Sequence, residues 1–334
     1  VAPNVVHEYQ LGLKTMYTHL QERFAPRPPV NIGTLNKMKA EGQKIACVTA
    51  YDASFGALID EAGLDVVLVG DSLGMVIQGH DTTVPVTLED VIYHCKAVSR
   101  GLYRPFLMAD MPFMTYASPD QALNNAVRLM QEGGAKMVKL EGGASQASIV
   151  EFLANHDIAV CAHLGLKPQS VHKVGGFRVQ GREEQDAEQM RRDAKLLESA
   201  GADVVLLECI PSELGAQITA ELHVPVIGIG AGPGTDGQIL VLYDLLDITL
   251  GRKPRFAKNF MTGVDSPLQA LKNYGEAVRD QSYPAPEHCF GAPNAAIAPP
   301  RNKNKSNSSF QSSSKSSQAG AAKQRSAARK SKNE

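Results

Sequence analysis

Five ionisable residues in this chain each close an apolar run that reads as a β-strand. Asp71 follows residues 65–70, Asp110 follows 105–109, Glu141 follows 136–140, His163 follows 158–162 and Glu208 follows 203–207. One acid after a strand is ordinary, because it can cap the helix that comes next. Five polar stops at the same relative place imply strand ends that face one another around a shared site. That is the layout of an enzyme.

The residue types narrow the chemistry. Asp71, Asp110 and Glu141 follow three consecutive strands, so in a parallel barrel they stand side by side on one arc of its mouth. Three carboxylates with no nearby Cys or paired His suit Mg²⁺ or a similar oxygen-seeking ion better than a structural zinc, and such a site invites a chelating ligand. Lys139 lies two residues before Glu141, on the same strand face. Amid apolar neighbours it needs an anion; a substrate carboxylate and the adjacent acids are both candidates. Ser72 is placed to donate to the same anion. His163 reads either as a site residue or as a satisfied core histidine. Glu208 stands apart from the other acids in the sequence, free to act as a general acid or base.

Two glycine-rich segments belong with these residues. The run Gly228-Ile-Gly-Ala-Gly-Pro-Gly234 is a poor dinucleotide fingerprint, because Pro233 falls where the third glycine is wanted and the loop follows a late strand. It reads as backbone pressed close to a ligand or to packing. Gly175-Gly-Phe-Arg-Val-Gln-Gly181 reads as a flexible active-site loop.

The elements that must position these groups alternate regularly. Strands are expected at 45–49, 65–70, 106–109, 137–140, 158–162, 203–207, 225–229 and 238–242. Between them, helices are expected at 54–62, 88–99, from Ser118-Pro119 onward, near 146–155, and at 183–199 and 212–222, with a later one at 267–279. The strands are continuous apolar runs, as strands buried on both faces are. Eight βα units predict an α/β fold of the closed (βα)8 TIM-barrel type; an open sheet would gather its functional groups at one switch point. A short helix capped by Thr34 and running to residue 41 precedes the barrel. Residues 1–33 read as an N-terminal extension, 34–290 as the catalytic domain, and 291–334 as a disordered basic tail rich in Ser and Lys.

Composition excludes several classes. The 334 residues are 43% hydrophobic, enough for a large core, and carry a net charge of -1. Because the tail holds many Lys and Arg and almost no acid, the body is acidic, which argues against a specific nucleic-acid partner. The five cysteines form no CxxC pair, as suits a reducing compartment. No apolar run approaches the roughly 18 residues of a membrane span. The first 30 residues contain Glu8 and Glu22 and no signal-like apolar stretch. A cytoplasmic protein without membrane contact is expected, or a mitochondrial one if the source is eukaryotic.

Several motifs closely resemble the ketopantoate hydroxymethyltransferase family. They are Val69-Gly-Asp-Ser-Leu-Gly-Met75 with Gln78-Gly-His80, Ala109-Asp-Met-Pro-Phe113, Val138-Lys-Leu-Glu-Gly-Gly143, His163-Leu-Gly-Leu, the Gly175–Gly181 segment, Leu207-Glu-Cys209, Ile227-Gly-Ile-Gly-Ala-Gly232, Phe256-Ala-Lys-Asn-Phe260 and Tyr283-Pro-Ala-Pro-Glu-His288. The resemblance runs collinearly from Thr34 to Phe290. It implies a barrel of the phosphoenolpyruvate/pyruvate-binding type, and transfer of a hydroxymethyl group from 5,10-methylenetetrahydrofolate to 3-methyl-2-oxobutanoate through a Mg²⁺-stabilised enolate. The products would be 2-dehydropantoate and tetrahydrofolate, on the route to pantothenate and coenzyme A. It also implies Asp71, Asp110 and Glu141 as metal ligands, Asp71, Ser72, Asp110, Lys139 and His163 as substrate contacts, and Glu208 as the general base. A homo-oligomer, often a decamer in the family, is implied too. The enzymatic alternative is a Mg²⁺-dependent carbon–carbon lyase or mutase acting on a 2-oxo acid. The remote one is a non-catalytic scaffold.

Overall fold

A computed structural model describes residues 28–251 and 253–291. The expected extension over 1–27 and the expected tail over 292–334 lie outside the described residues. The chain divides into two units, 1–295 and 296–334, of which the second falls wholly outside them.

The first unit is a closed barrel of eight parallel strands in sequence order, β1 pairing with β8 to complete the circle. The elements are α1 (Ile32–Ala40), β1 (Ile45–Thr49), α2 (Ala53–Ala62), β2 (Val66–Val69), α3 (Leu73–Val76) and α4 (Leu88–Gly101). Next come β3 (Phe106–Asp110), α5 (Pro119–Gln131), β4 (Met137–Glu141), α6 (Ala147–Ala154), β5 (Val160–Gly165), α7 (Val171–Val174) and α8 (Glu184–Ser199). The chain continues through β6 (Val204–Glu208), α9 (Ser212–Glu221), β7 (Val226–Ile229), β8 (Gly237–Leu240), α10 (Leu242–Leu245) and α11 (Pro267–Arg279). Apart from the last residues of β5 and β6 every strand residue is buried, because side chains fill the barrel on one face and meet helices on the other.

Local chemistry explains most boundaries. Thr87 and Asp90 close a capping box on α4, and Ser118 and Ser266 cap α5 and α11, each with proline next. Helix α1 starts earlier than expected: Asn31 caps it and Thr34 is its third residue, the two side chains satisfying each other's backbone N–H. The last strand ends before Leu242, whose N–H donates to Thr49 Oγ1 at 3.0 Å and so leaves the ladder to begin α10.

The βα alternation has one break, since β7 passes to β8 through the glycine loop without a helix. Packing accounts for the glycines. A Cβ on Gly232, where φ is +82°, would stand 2.4 Å from Ser212 Oγ, and one on Gly234 would stand 2.7 Å from Ala216 Cβ. The loop therefore lies directly against α9, the second of the two readings of this segment.

At the opposite end of the barrel acids serve the backbone. Asp65, Asp203 and Asp236 accept from the N–H of Ala46, Val160 and Val226 at 3.0, 3.0 and 2.9 Å. Each latches the entry of one strand to its neighbour. The seam between β1 and β8 is held by α11, whose buried Tyr274 hydroxyl lies 2.7 Å from the carbonyl of Cys47 and 2.9 Å from that of Gln238. Tyr274→Phe should lower unfolding stability by about 1–3 kcal/mol, the cost of stranding buried acceptors. Urea denaturation checks this; an unchanged midpoint would show that the hydroxyl contributes nothing to the closure.

Candidate active site

The barrel delivers the sequence-expected residues to one place. Asp110, Glu141 and Glu208 are the last residues of β3, β4 and β6; Asp71 lies two residues beyond β2, and His163 sits inside β5. All of them, with Ser72 and Lys139, line a cavity of about 1300 Å³ at the C-terminal mouth. Strand register does part of this work, because Asp110 pairs with Lys139 across β3 and β4, and Glu141 with His163 across β4 and β5.

The ionic contacts form a continuous cluster. Lys139 Nζ pairs with Asp110 Oδ1 and stands 3.9 Å from Glu141 Oε1. His163 Nδ1 is 3.4 Å from that same Glu141 oxygen, and its Nε2 is 3.2 Å from Glu208 Oε2. Of the two anions considered for Lys139, this arrangement supplies the adjacent acids. Asp110 also accepts the backbone N–H of Asp71 at 3.0 Å. Gly70 permits this closeness, since a Cβ there would stand 2.9 Å from Ser72 Oγ and 3.3 Å from Asp110 Oδ2. Ser72 Oγ shares a 2.8 Å hydrogen bond with the hydroxyl of the buried Tyr51.

Burial and crowding set the protonation. Burial, then the charges of Asp110 and Glu141, push the Asp71 carboxyl well above the usual carboxylate range. Burial acts the same way on Glu141, but its contact with His163 and the charges of His163 and Lys139 outweigh it and hold that carboxyl low. For Lys139 burial favours the neutral amine, yet the charges of Asp110, Glu141 and Asp71 raise it above the ordinary lysine value. Burial and Lys139 oppose charge on His163, while the flanking Glu141 and Glu208 carry it up to about 9. His163 therefore lies between two acids that favour its charged form.

Four carboxyl groups thus crowd around two basic side chains. Glu141 Oε1 is buried without a hydrogen-bond partner. Flanked by His163 and Lys139 at 3.4 and 3.9 Å but hydrogen-bonded to neither, this carboxylate oxygen in an acid-rich cluster is a donor that suits a hard divalent cation. Among the described residues no three His, Cys, Asp or Glu side chains are already arranged to hold a metal ion; the three acids are instead joined through Lys139 and Gln169.

Gln169 and Tyr116 escape sequence reasoning. Gln169 Nε2 donates to Asp71 Oδ2 at 2.8 Å, and Tyr116 donates to Gln169 Oε1 at 2.6 Å. Neither residue ends a strand, and an uncharged glutamine in a polar loop gives no sign that it is buried. The loop 175–181 brings Phe177, Arg178 and Val179 to the cavity wall.

The family model for ketopantoate hydroxymethyltransferase matches residues 29–286. The chain belongs to this family. It is 58% identical over 265 residues to the 3-methyl-2-oxobutanoate hydroxymethyltransferase of Alkalilimnicola ehrlichii, a match spanning 79% of the chain and 96% of that protein. The enzyme of the same name from Nitrosococcus oceani is 56% identical over 250 residues, 75% of the chain and 95% of the relative. Membership in this family makes the chain an enzyme of the transferase class. In three dimensions it resembles the solved phosphoenolpyruvate phosphomutase of Streptomyces platensis subsp. rosaceus, with a TM-score of 0.51 and 13% identity over 75% of the chain and 97% of that structure. That likeness is one of fold. Among the described residues no helix is long and apolar enough to cross a membrane.

Proposed function

We propose that the chain transfers a hydroxymethyl group from 5,10-methylenetetrahydrofolate to 3-methyl-2-oxobutanoate, releasing 2-dehydropantoate and tetrahydrofolate on the route to pantothenate. The observation that carries this reading is the convergence of Asp71, Asp110, Glu141 and Glu208 with Lys139 and His163 at one barrel mouth, in a family whose members are named for this keto acid. Asp71, Asp110 and Glu141 would hold Mg²⁺ or a similar divalent ion. When bound, the ion supplies Lewis-acid withdrawal of charge from the keto oxygen, worth several kcal/mol in the transition state.

The protein's own residues do the rest. Glu208 is the base: it lies at the cavity wall with its side chain 15% exposed, and His163 Nε2 faces one of its oxygens at 3.2 Å. It takes the proton from C3 of the keto acid. The carbanion so formed attacks the methylene carbon of the folate as one of its two carbon–nitrogen bonds breaks; water replaces the other nitrogen, its hydroxyl staying on the transferred carbon, and the C3 proton and the second water proton go to the two nitrogens of the departing tetrahydrofolate. Ser72 donates to the substrate carboxylate, and Lys139 meets it from within the ion pair with Asp110.

The purified chain should form 2-dehydropantoate from both substrates, stop when EDTA is added and recover with Mg²⁺. Turnover indifferent to EDTA would count against the metal. Cleavage of a 2-oxo acid in the absence of folate would favour a lyase or mutase instead.

A further inference from the structure

Gln169, 5% exposed on the turn Pro168–Ser170 after β5, uses every polar atom of its side chain. Its backbone N–H donates to Glu141 Oε2 at 3.2 Å. Its Nε2 donates to Asp71 Oδ2 at 2.8 Å and to the Met111 carbonyl at 3.0 Å. Its Oε1 accepts from Tyr116 at 2.6 Å, and the Tyr116 oxygen in turn accepts the N–H of Glu141 at 3.3 Å. Two acceptors facing the amide nitrogen and one donor facing its oxygen fix which way round the amide lies.

The electrostatic consequence is specific. Gln169 ties one oxygen of Asp71 and one of Glu141 without neutralising either acid. The other Glu141 oxygen, Oε1, is left buried and without a hydrogen-bond partner. A lysine or arginine in this position would compete with a bound cation; a neutral donor orients the acids and places no positive charge beside them. Outer-shell partners of this kind set the geometry of ligating carboxylates.

We propose that Gln169 is a positioning residue that presents Asp71 and Glu141 to a divalent cation, with Tyr116 locking its amide. The proposal rests on the metal-binding reading of the site. It is tested by titrating Mn²⁺, without substrate, into the full chain and its variants by calorimetry. Gln169→Met, similar in shape but without donors, should weaken Mn²⁺ affinity about 10–100-fold, and its turnover should recover as Mn²⁺ is raised. Tyr116→Phe removes one hydroxyl and should shift affinity in the same direction by a smaller factor; it carries the test if Gln169→Met does not fold. Wild-type Mn²⁺ affinity in the variants would overturn the positioning role. So would lost turnover that saturating Mn²⁺ fails to restore. No Mn²⁺ binding by the unaltered chain would instead overturn the metal reading, and this proposal with it.

Discussion

Glu208→Gln should lower turnover by about 10²–10⁴-fold, the span over which a positioned general base acts. The substitution preserves side-chain shape but removes the group that can accept the C3 proton. It should leave divalent-metal affinity nearly intact, because among the described residues Glu208 meets the acid cluster through His163, at 3.2 Å from Nε2. The two readouts are therefore expected to separate: steady-state kcat falls while calorimetric Mg²⁺ binding survives. Near-normal turnover in this variant would remove Glu208 from its role. Loss of metal binding along with turnover would make it part of the metal site rather than the base.

Asp110→Ala should abolish metal-dependent binding of the keto acid, measured by calorimetry with and without EDTA. Asp110 holds the Lys139 ammonium, with both side chains at most 5% exposed, and accepts the Asp71 backbone N–H. Its removal strands a buried cation, so stability should also fall by about 3–5 kcal/mol. Asp110→Asn keeps an acceptor for the Asp71 N–H while removing the charge, and should lose metal-dependent binding with a smaller stability cost. Unchanged keto-acid affinity in either variant would count against the site.

Particular elements show why some features were readable in the sequence. Strands such as Phe106–Asp110 and Met137–Glu141 are short apolar runs buried on both faces, and the acids that end them are visible as breaks in hydropathy. Helix α11 matches its expected bounds because Ser266-Pro267 is a local start signal. Features governed by contacts distant in the chain were harder to read. Thr34 has the chemistry of a cap, yet Asn31 takes that place and Thr34 completes the box. Leu242 looks like strand, but Thr49, from the other end of the barrel sequence, draws its N–H away. The β7–β8 loop lacks the helix a regular alternation predicts because it packs directly on α9.

The sequence by itself determined the barrel, its polar strand ends and the kinds of group at the site, because hydropathy and residue type are properties of neighbouring positions. Tertiary structure alone decided who meets whom. Barrel closure and strand register bring Lys139 onto Asp110, set His163 between Glu141 and Glu208, and carry Gln169 to Asp71 across 98 residues of chain. Partnerships of this kind depend on burial, which makes each unpaired charge or amide costly and so forces pairings that no local pattern encodes.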